Sequence, residues 1–92
     1  MIRVLIADDH PVFRHGLAAI LAGSGEFEVV GEASDVSAAM AMMKQLGPDI
    51  AVLDIAMPGM SGLDVVRSAN EKNLEVEFAI LTMYNDEVYF HS

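Results

Sequence analysis

Residues 2–9 read IRVLIADD, an apolar run that ends in two adjacent acids, Asp8 and Asp9. Residues 50–54 read IAVLD and repeat this arrangement, with Asp54 at the end. Apolar runs without alternation are typical of parallel strands that are buried on both faces. If the two runs are neighbouring parallel strands, their carboxyl ends meet at the crevice where open α/β sheets bind ligands. The pattern therefore predicts three carboxylates at one edge of a sheet.

The rest of the chain alternates strand and helix patterns. We expect strands at 2–8, 27–33, 49–54 and 77–82, helices at 11–22, 35–46 and 61–70, and another helix beginning near Asn85. The first helix has Pro11 in its first turn. Its spacing predicts an apolar face at Phe13, Leu17, Ile20 and Leu21. Met40 and Met43 of the second helix are interpreted as core residues. This order predicts an α/β fold with a doubly wound parallel sheet.

Composition narrows the classes of protein to consider. At 92 residues the chain is one domain, and its 53% hydrophobic content suggests a core meant for a larger domain or a surface that a partner covers. No run approaches the ~20 apolar residues of a membrane span, and Met1 leads directly into a strand, so we expect a cytoplasmic protein without membrane contact. The absence of cysteine excludes disulfides and thiolate metal sites. A net charge of -9 argues against direct nucleic-acid binding, so any link to DNA would need another domain.

The three acids predict a metal-assisted reaction. Clustered carboxylates repel one another unless a cation or proton lies among them, and Mg²⁺ favours such oxygen ligands. We expect Asp9 to bind the metal directly and Asp8 mainly through water. Asp54 stands alone at its strand end and could attack a phosphoryl donor, which would give an aspartyl phosphate.

Two further features follow the strands. Thr82 ends the fourth strand, where its hydroxyl could donate a hydrogen bond to a phosphoryl oxygen and couple phosphorylation to the segment that follows. The loop MPGMSG, residues 57–62, could fold over the acids and turn the carbonyl of Ala56 toward the metal; a plain strand-to-helix connection is the alternative. His10 and His15 are five residues apart, not the four that place two ligands on one helical face, and are predicted to be solvated or capping.

In the order and spacing of these residues, the chain resembles the receiver domain of bacterial two-component response regulators. Asp8-Asp9, Asp54, Met57-Pro58-Gly59 followed by Gly62, and Thr82 carry the resemblance. Residues 7–14 and 81–84 look most like the NarL/FixJ group, whose members usually carry a C-terminal helix-turn-helix DNA-binding domain. The resemblance implies a flavodoxin-like fold and a signalling switch that controls transcription, not an enzyme beyond its own Mg²⁺-dependent phosphorylation. It also implies a histidine kinase that phosphorylates Asp54, Mg²⁺ held by Asp9, Asp54 and the Ala56 carbonyl, and a sensing role for Thr82.

The family pattern continues beyond Ser92. It has a fifth strand that ends in a lysine, preceded by a switch aromatic residue, and then a fifth helix. We therefore expect residues 1–92 to form a single incomplete receiver domain that lacks both elements, with the helix-turn-helix domain in a longer parent protein. The lysines of this chain, Lys44 and Lys72, lie near helix ends and are predicted at the opposite sheet edge from the acids.

This departure predicts an exposed fourth strand and a first helix without its covering neighbour. Exposed strand edges and apolar faces favour pairing with another chain, so we expect a homo-oligomer, either swapped or strand-paired. Tyr84, Tyr89 and Phe90 are candidate interface residues.

Two alternatives remain open. The first is a receiver-shaped interaction module that is not phosphorylated, because the lysine is missing. The second is a metal-dependent phosphohydrolase, although its nucleophile would normally follow the first strand in an Asp-x-Asp arrangement, and this strand ends Asp8-Asp9-His10.

Overall fold

Four parallel strands form the centre of the fold in the computed structural model. The structure describes the backbone of residues 1–54, 62–82 and 87–91. It describes the side chains of residues 1–54 and 64–81. The elements are β1 (Ile2–Ala7), α1 (Pro11–Gly23), β2 (Phe27–Ala33), α2 (Val36–Leu46), β3 (Ile50–Asp54), α3 (Gly62–Glu71), β4 (Glu77–Thr82) and β5 (Glu87–His91). Their order in the sheet is β2-β1-β3-β4-β5. The predicted parallel α/β sheet is confirmed for β1 to β4.

The register brings the carboxyl ends of the central strands to one edge. Ala7 of β1 lies beside Leu53 of β3, and Asp54 lies beside Leu81 of β4. The residues that follow β1 are therefore neighbours of the last residue of β3.

One face of the sheet carries α2 and α3 and holds the main core. Buried side chains of the strands, including Leu5, Leu53 and Phe78, pack there with Met43 of α2 and Val65 of α3. Burial of Met43 agrees with its interpretation as a core residue. Helix α2 has clear ends because the Asp35 carboxylate accepts a hydrogen bond of 2.8 Å from the Ala38 N–H, and Gly47 ends the helix in the left-handed region at φ 54°.

Helix α1 lies on the other face of the sheet. The prediction of its apolar side is only partly correct. Leu17 and Leu21 are half-buried, whereas Phe13 and Ile20 are exposed, and no residue of α1 is fully buried. The described contacts of α1 are mainly with β1 and β2, so the sheet leaves the part of the helix that carries Phe13 and Ile20 exposed. An apolar groove of about 230 Å³ remains beside α1, between Leu17, Leu21, Val52 and Leu81.

The prediction of a helix that begins near Asn85 is wrong for residues 87–91. These residues form β5 and pair antiparallel with β4. Asn85 itself lies outside the described residues. The expectation of an open β4 edge is therefore also wrong, and a fifth strand is present, although it is antiparallel. Two physical causes favour a strand: the sequence EVYFH contains β-branched and aromatic residues, and the edge of β4 offers unpaired backbone groups.

Within the described ranges, no helix is long and apolar enough to span a membrane.

Candidate functional site

Asp8, Asp9 and Asp54, called the acid cluster below, come together at the carboxyl ends of β1 and β3. The Asp8 N–H donates a hydrogen bond of 3.0 Å to the Ala33 carbonyl, which extends the pairing of β1 with β2 by one residue. The side chains of Asp8 and Asp54 are each 1% exposed, whereas that of Asp9 is 31% exposed. One ligand atom from each of these acids and from His10 lies within 4.8 Å of the others. The structure thus places together the three carboxylates that the strand ends predicted.

The other two predicted site residues are described only in part or not at all. Thr82 is the last residue of β4, and its backbone pairs with Glu87 of β5, but its side chain lies outside the described residues. Ala56 and the predicted turn at Met57-Pro58-Gly59 also lie outside the described residues.

Arg14 of α1 contacts the chain segment that carries Asp8. Its Nη1 donates a hydrogen bond of 2.8 Å to the Asp8 carbonyl oxygen, and its Nε lies 3.2 Å from Glu32 Oε1. Because this side chain is largely buried, both contacts occur away from bulk water. The first helix is therefore fixed to the chain segment that positions Asp8.

His10 is a site residue that the sequence analysis did not identify. It lies at the N-cap position of α1 but makes no side-chain cap. Instead, its Nδ1 lies 3.0 Å from Asp8 Oδ1, 3.0 Å from Asp9 Oδ1 and 3.8 Å from Asp54 Oδ2. The helical spacing of His10 and His15 could not reveal this contact. The relevant signal was the position of His10 directly after two acids at a strand end.

The electrostatics of the site favour a cation. The hydrogen bond from the imidazole to Asp8, followed by the charge of Asp9, raises the pKa of His10 above its ordinary value of 6.5. Asp8 Oδ2 is buried and accepts no hydrogen bond from the described residues. Buried carboxylate oxygens without donors are costly unless a cation satisfies them. The donor set of hard oxygens, one of them available and buried, fits Mg²⁺.

Lys44 and Lys72 lie near each other and away from the acid cluster. Lys44 is in the last turn of α2, and the Arg3 guanidinium donates to the nearby Leu46 carbonyl at 2.6 Å, which places this helix end beside the start of β1. Proximity to Lys44 lowers the pKa of Lys72. Neither lysine therefore faces the carboxyl ends of the strands, in agreement with the sequence prediction.

Comparison with known proteins gives concordant results. Residues 4–92 match the model of the response regulator receiver domain. The transcriptional regulatory protein NarL of Mycobacterium tuberculosis is 39% identical over 85 residues, covering 92% of this chain and 39% of that protein. LiaR of Bacillus subtilis is 38% identical over 91 residues, covering 97% of this chain and 43% of that protein. The chain thus spans about two fifths of the length of these relatives.

Solved structures show the same fold. The signal receiver domain of NarL from Mycobacterium tuberculosis matches with a TM-score of 0.88 and 39% identity, over 91% of this chain and 68% of that chain. The isolated receiver domain of RcsB from Salmonella enterica, solved in the presence of phosphomimetic BeF3-, matches with a TM-score of 0.82 and 29% identity, over 91% of this chain and 63% of that chain.

Proposed function

The chain belongs to the response regulator receiver domain family, and we propose that it accepts a phosphoryl group on Asp54 from a sensor histidine kinase. The observation that carries this proposal is the position of Asp54. Its buried carboxylate ends a central strand, and the distance from its Oδ2 to the Nδ1 of His10, in the segment that holds Asp8 and Asp9, is 3.8 Å. A carboxylate among other acids becomes an effective nucleophile only where its charge and that of the donor are balanced.

The proposed reaction transfers a phosphoryl group from nitrogen to oxygen. A carboxylate oxygen of Asp54 attacks the phosphorus of a phosphohistidine, forming a P–O bond, while the P–N bond breaks and its electron pair stays on the imidazole nitrogen of the donor. The donor's imidazole nitrogen then takes up a proton from solvent. In this chain, Asp54 supplies the nucleophile, while β1 and β3 fix the distance between it and the other acids.

Receiver domains of this family generally bind Mg²⁺ at their acidic pocket. In this chain, Asp9 and Asp54 are proposed to hold the ion directly and Asp8 mainly through water, together with the Ala56 carbonyl. When bound, Mg²⁺ supplies positive charge that offsets the negative charge of the attacking and the transferred oxygens. The unsatisfied Asp8 Oδ2 supports this assignment.

Thr82 is proposed to donate its hydroxyl to the phosphoryl group and so to sense phosphorylation. Its place at the end of β4, one residue beyond the Leu81 that pairs with Asp54, supports this role. The residues after Thr82 would then respond to the modified state, because a new charge-assisted hydrogen bond favours one arrangement of them.

We further propose that residues 1–92 are the receiver part of a cytoplasmic transcription regulator with a C-terminal helix-turn-helix domain. The curated relatives are named as transcriptional regulators, and the chain covers about two fifths of their length. The acidic net charge of -9 agrees with contact to DNA through a separate domain.

A homo-oligomer is still proposed, either swapped or associated through apolar surface, and not through an open β4 edge. Pairing through β4 is disfavoured because β5 covers that edge, but the apolar groove beside α1 and the exposed Val12 and Ile20 still favour association. Strictly monomeric light scattering at high protein concentration would exclude it.

Intact-mass spectrometry after incubation with acetyl phosphate and Mg²⁺ tests the proposed phosphorylation. We expect one phosphoryl adduct on the wild-type chain. Folded protein without an adduct would instead support the alternative of a receiver-shaped interaction module.

A further inference from the structure

His10 brings a nitrogen donor to the acid cluster. Its Nδ1 lies 3.0 Å from both Asp8 Oδ1 and Asp9 Oδ1, and 3.8 Å from Asp54 Oδ2. Ligand atoms at about 2.1 Å from one octahedral ion are about 3.0 Å apart when adjacent and about 4.2 Å apart when opposite. The three measured distances fall within this range, so one ion could contact the nitrogen and the carboxylates together.

A second observation points to a ligand at the same place. Asp8 is 1% exposed, and both hydrogen bonds that it accepts from His10, from the backbone N–H at 2.7 Å and from the imidazole at 3.0 Å, go to Oδ1. Its Oδ2 is left buried without a donor among the described residues. A cation bound by the Asp8 carboxylate would satisfy this oxygen, which the two hydrogen bonds from His10 leave without a partner.

The imidazole is also held in a suitable position and remains accessible. The hydrogen bond from the His10 backbone N–H to Asp8 fixes the backbone next to the acid cluster. The side chain is 58% exposed, so an ion can reach Nδ1 from solvent and can keep water ligands on its open side. A nitrogen positioned before the metal arrives loses little freedom on binding.

From this geometry we propose that His10 binds metal through Nδ1, with release of the Nδ1 proton to solvent, as an additional ligand of the acid cluster. We also propose that it shifts the site toward transition metals such as Co²⁺ and Zn²⁺ relative to Mg²⁺. The inference rests on the proposed function insofar as the same carboxylates hold the metal. Imidazole suits first-row transition metals, whereas Mg²⁺ prefers oxygen ligands. Transition metals would consequently compete with Mg²⁺ for the phosphorylation site.

Calorimetric titration with Co²⁺ and with Mg²⁺ measures this selectivity. We expect the ratio of Co²⁺ affinity to Mg²⁺ affinity to fall by at least about tenfold in His10→Gln, since second-sphere changes alone typically alter metal affinity by about 10–100-fold. His15→Gln is the matched control, because His15 is similarly exposed and lies beside Glu32, away from the acid cluster. An unchanged ratio in folded His10→Gln, or an equal fall in both variants, would overturn the inference.

Pulsed electron paramagnetic resonance of bound Mn²⁺ gives a second readout. We expect nitrogen coupling from a histidine in the wild-type chain and in His15→Gln, and its loss in His10→Gln.

Failure of this inference is distinguishable from failure of the proposed function. A phosphoryl adduct on wild-type protein without nitrogen coupling overturns the role of His10 alone, whereas nitrogen coupling without an adduct supports His10 and contradicts phosphorylation.

Discussion

The Nη1 of Arg14 donates a hydrogen bond of 2.8 Å to the main-chain carbonyl oxygen of Asp8. This contact joins the first helix to the end of β1, where the acid cluster begins. Its donor is charged and largely buried, which makes it stronger than an ordinary surface contact.

Arg14→Ala is expected to lower the free energy of unfolding by about 1.5–3 kcal/mol, the range for hydrogen bonds to charged groups. Urea denaturation provides the measurement. Arg67→Ala is the matched control, because Arg67 is exposed and lies 3.6 Å from Asp64; a loss of about 0–1 kcal/mol is expected there. Equal losses in both variants would show that the Arg14 contact does not stabilise the strand end.

Mg²⁺ is expected to stabilise the folded chain by binding at the acid cluster. At a concentration about 100 times its Kd, a ligand of the folded state adds about 2.7 kcal/mol to the free energy of unfolding. Thermal melts with and without Mg²⁺ should show a raised Tm that Asp9→Asn and Asp54→Asn largely remove. Asp64→Asn, a change in a carboxylate on α3, should retain the effect. The assignment would be contradicted by a Tm that does not respond to millimolar Mg²⁺.

Two isoleucines of β1 allow a matched test of burial. Ile6 is fully buried, whereas Ile2 is 41% exposed. Ile6→Val is expected to cost about 0.5–1.5 kcal/mol in unfolding free energy, because it removes one buried methylene group. Ile2→Val should cost less, and chemical denaturation of the two variants side by side measures the difference. A larger cost at Ile2 would contradict the deep burial of Ile6 and the exposure of Ile2 at the start of the strand.

Without metal, His10 is expected to titrate above its ordinary pKa of 6.5, because of its hydrogen bond to Asp8 and then the charge of Asp9. The stabilisation from the charged imidazole is then complete below about pH 6.5 and is lost as the pH rises through the folded-state pKa. Proton NMR of the imidazole measures this pKa, which Asp8→Asn should lower. Glu28→Gln, a change in an exposed carboxylate on β2, is the control. A titration of His10 that is unaffected by Asp8→Asn would contradict the contact.

The strands and the acid cluster could be predicted because their signals are local. An apolar run followed by Asp8-Asp9 or by Asp54 indicates a strand and its end without knowledge of the neighbours, and parallel pairing then brings the ends together. His10 was missed because its contact depends on the turn between β1 and α1, and not on helical periodicity.

The two errors in the fold concern contacts with distant parts of the chain. The sequence predicts a helix that begins near Asn85, yet residues 87–91 pair with β4, because the outcome depends on a strand edge that local preference does not reveal. Phe13 and Ile20 have the spacing of a buried face, but periodicity cannot show whether a neighbour covers that face.

Asp54, and not another acid of the cluster, is proposed to receive the phosphoryl group. Reduction of the acyl phosphate with sodium borohydride converts the modified aspartate to homoserine, and peptide mass spectrometry then locates it. After incubation with acetyl phosphate and Mg²⁺, we expect homoserine at position 54 in the wild-type chain and in Asp64→Asn, and none in Asp54→Asn. Homoserine at position 8 or 9, or no conversion in folded wild-type protein, would contradict phosphorylation of Asp54.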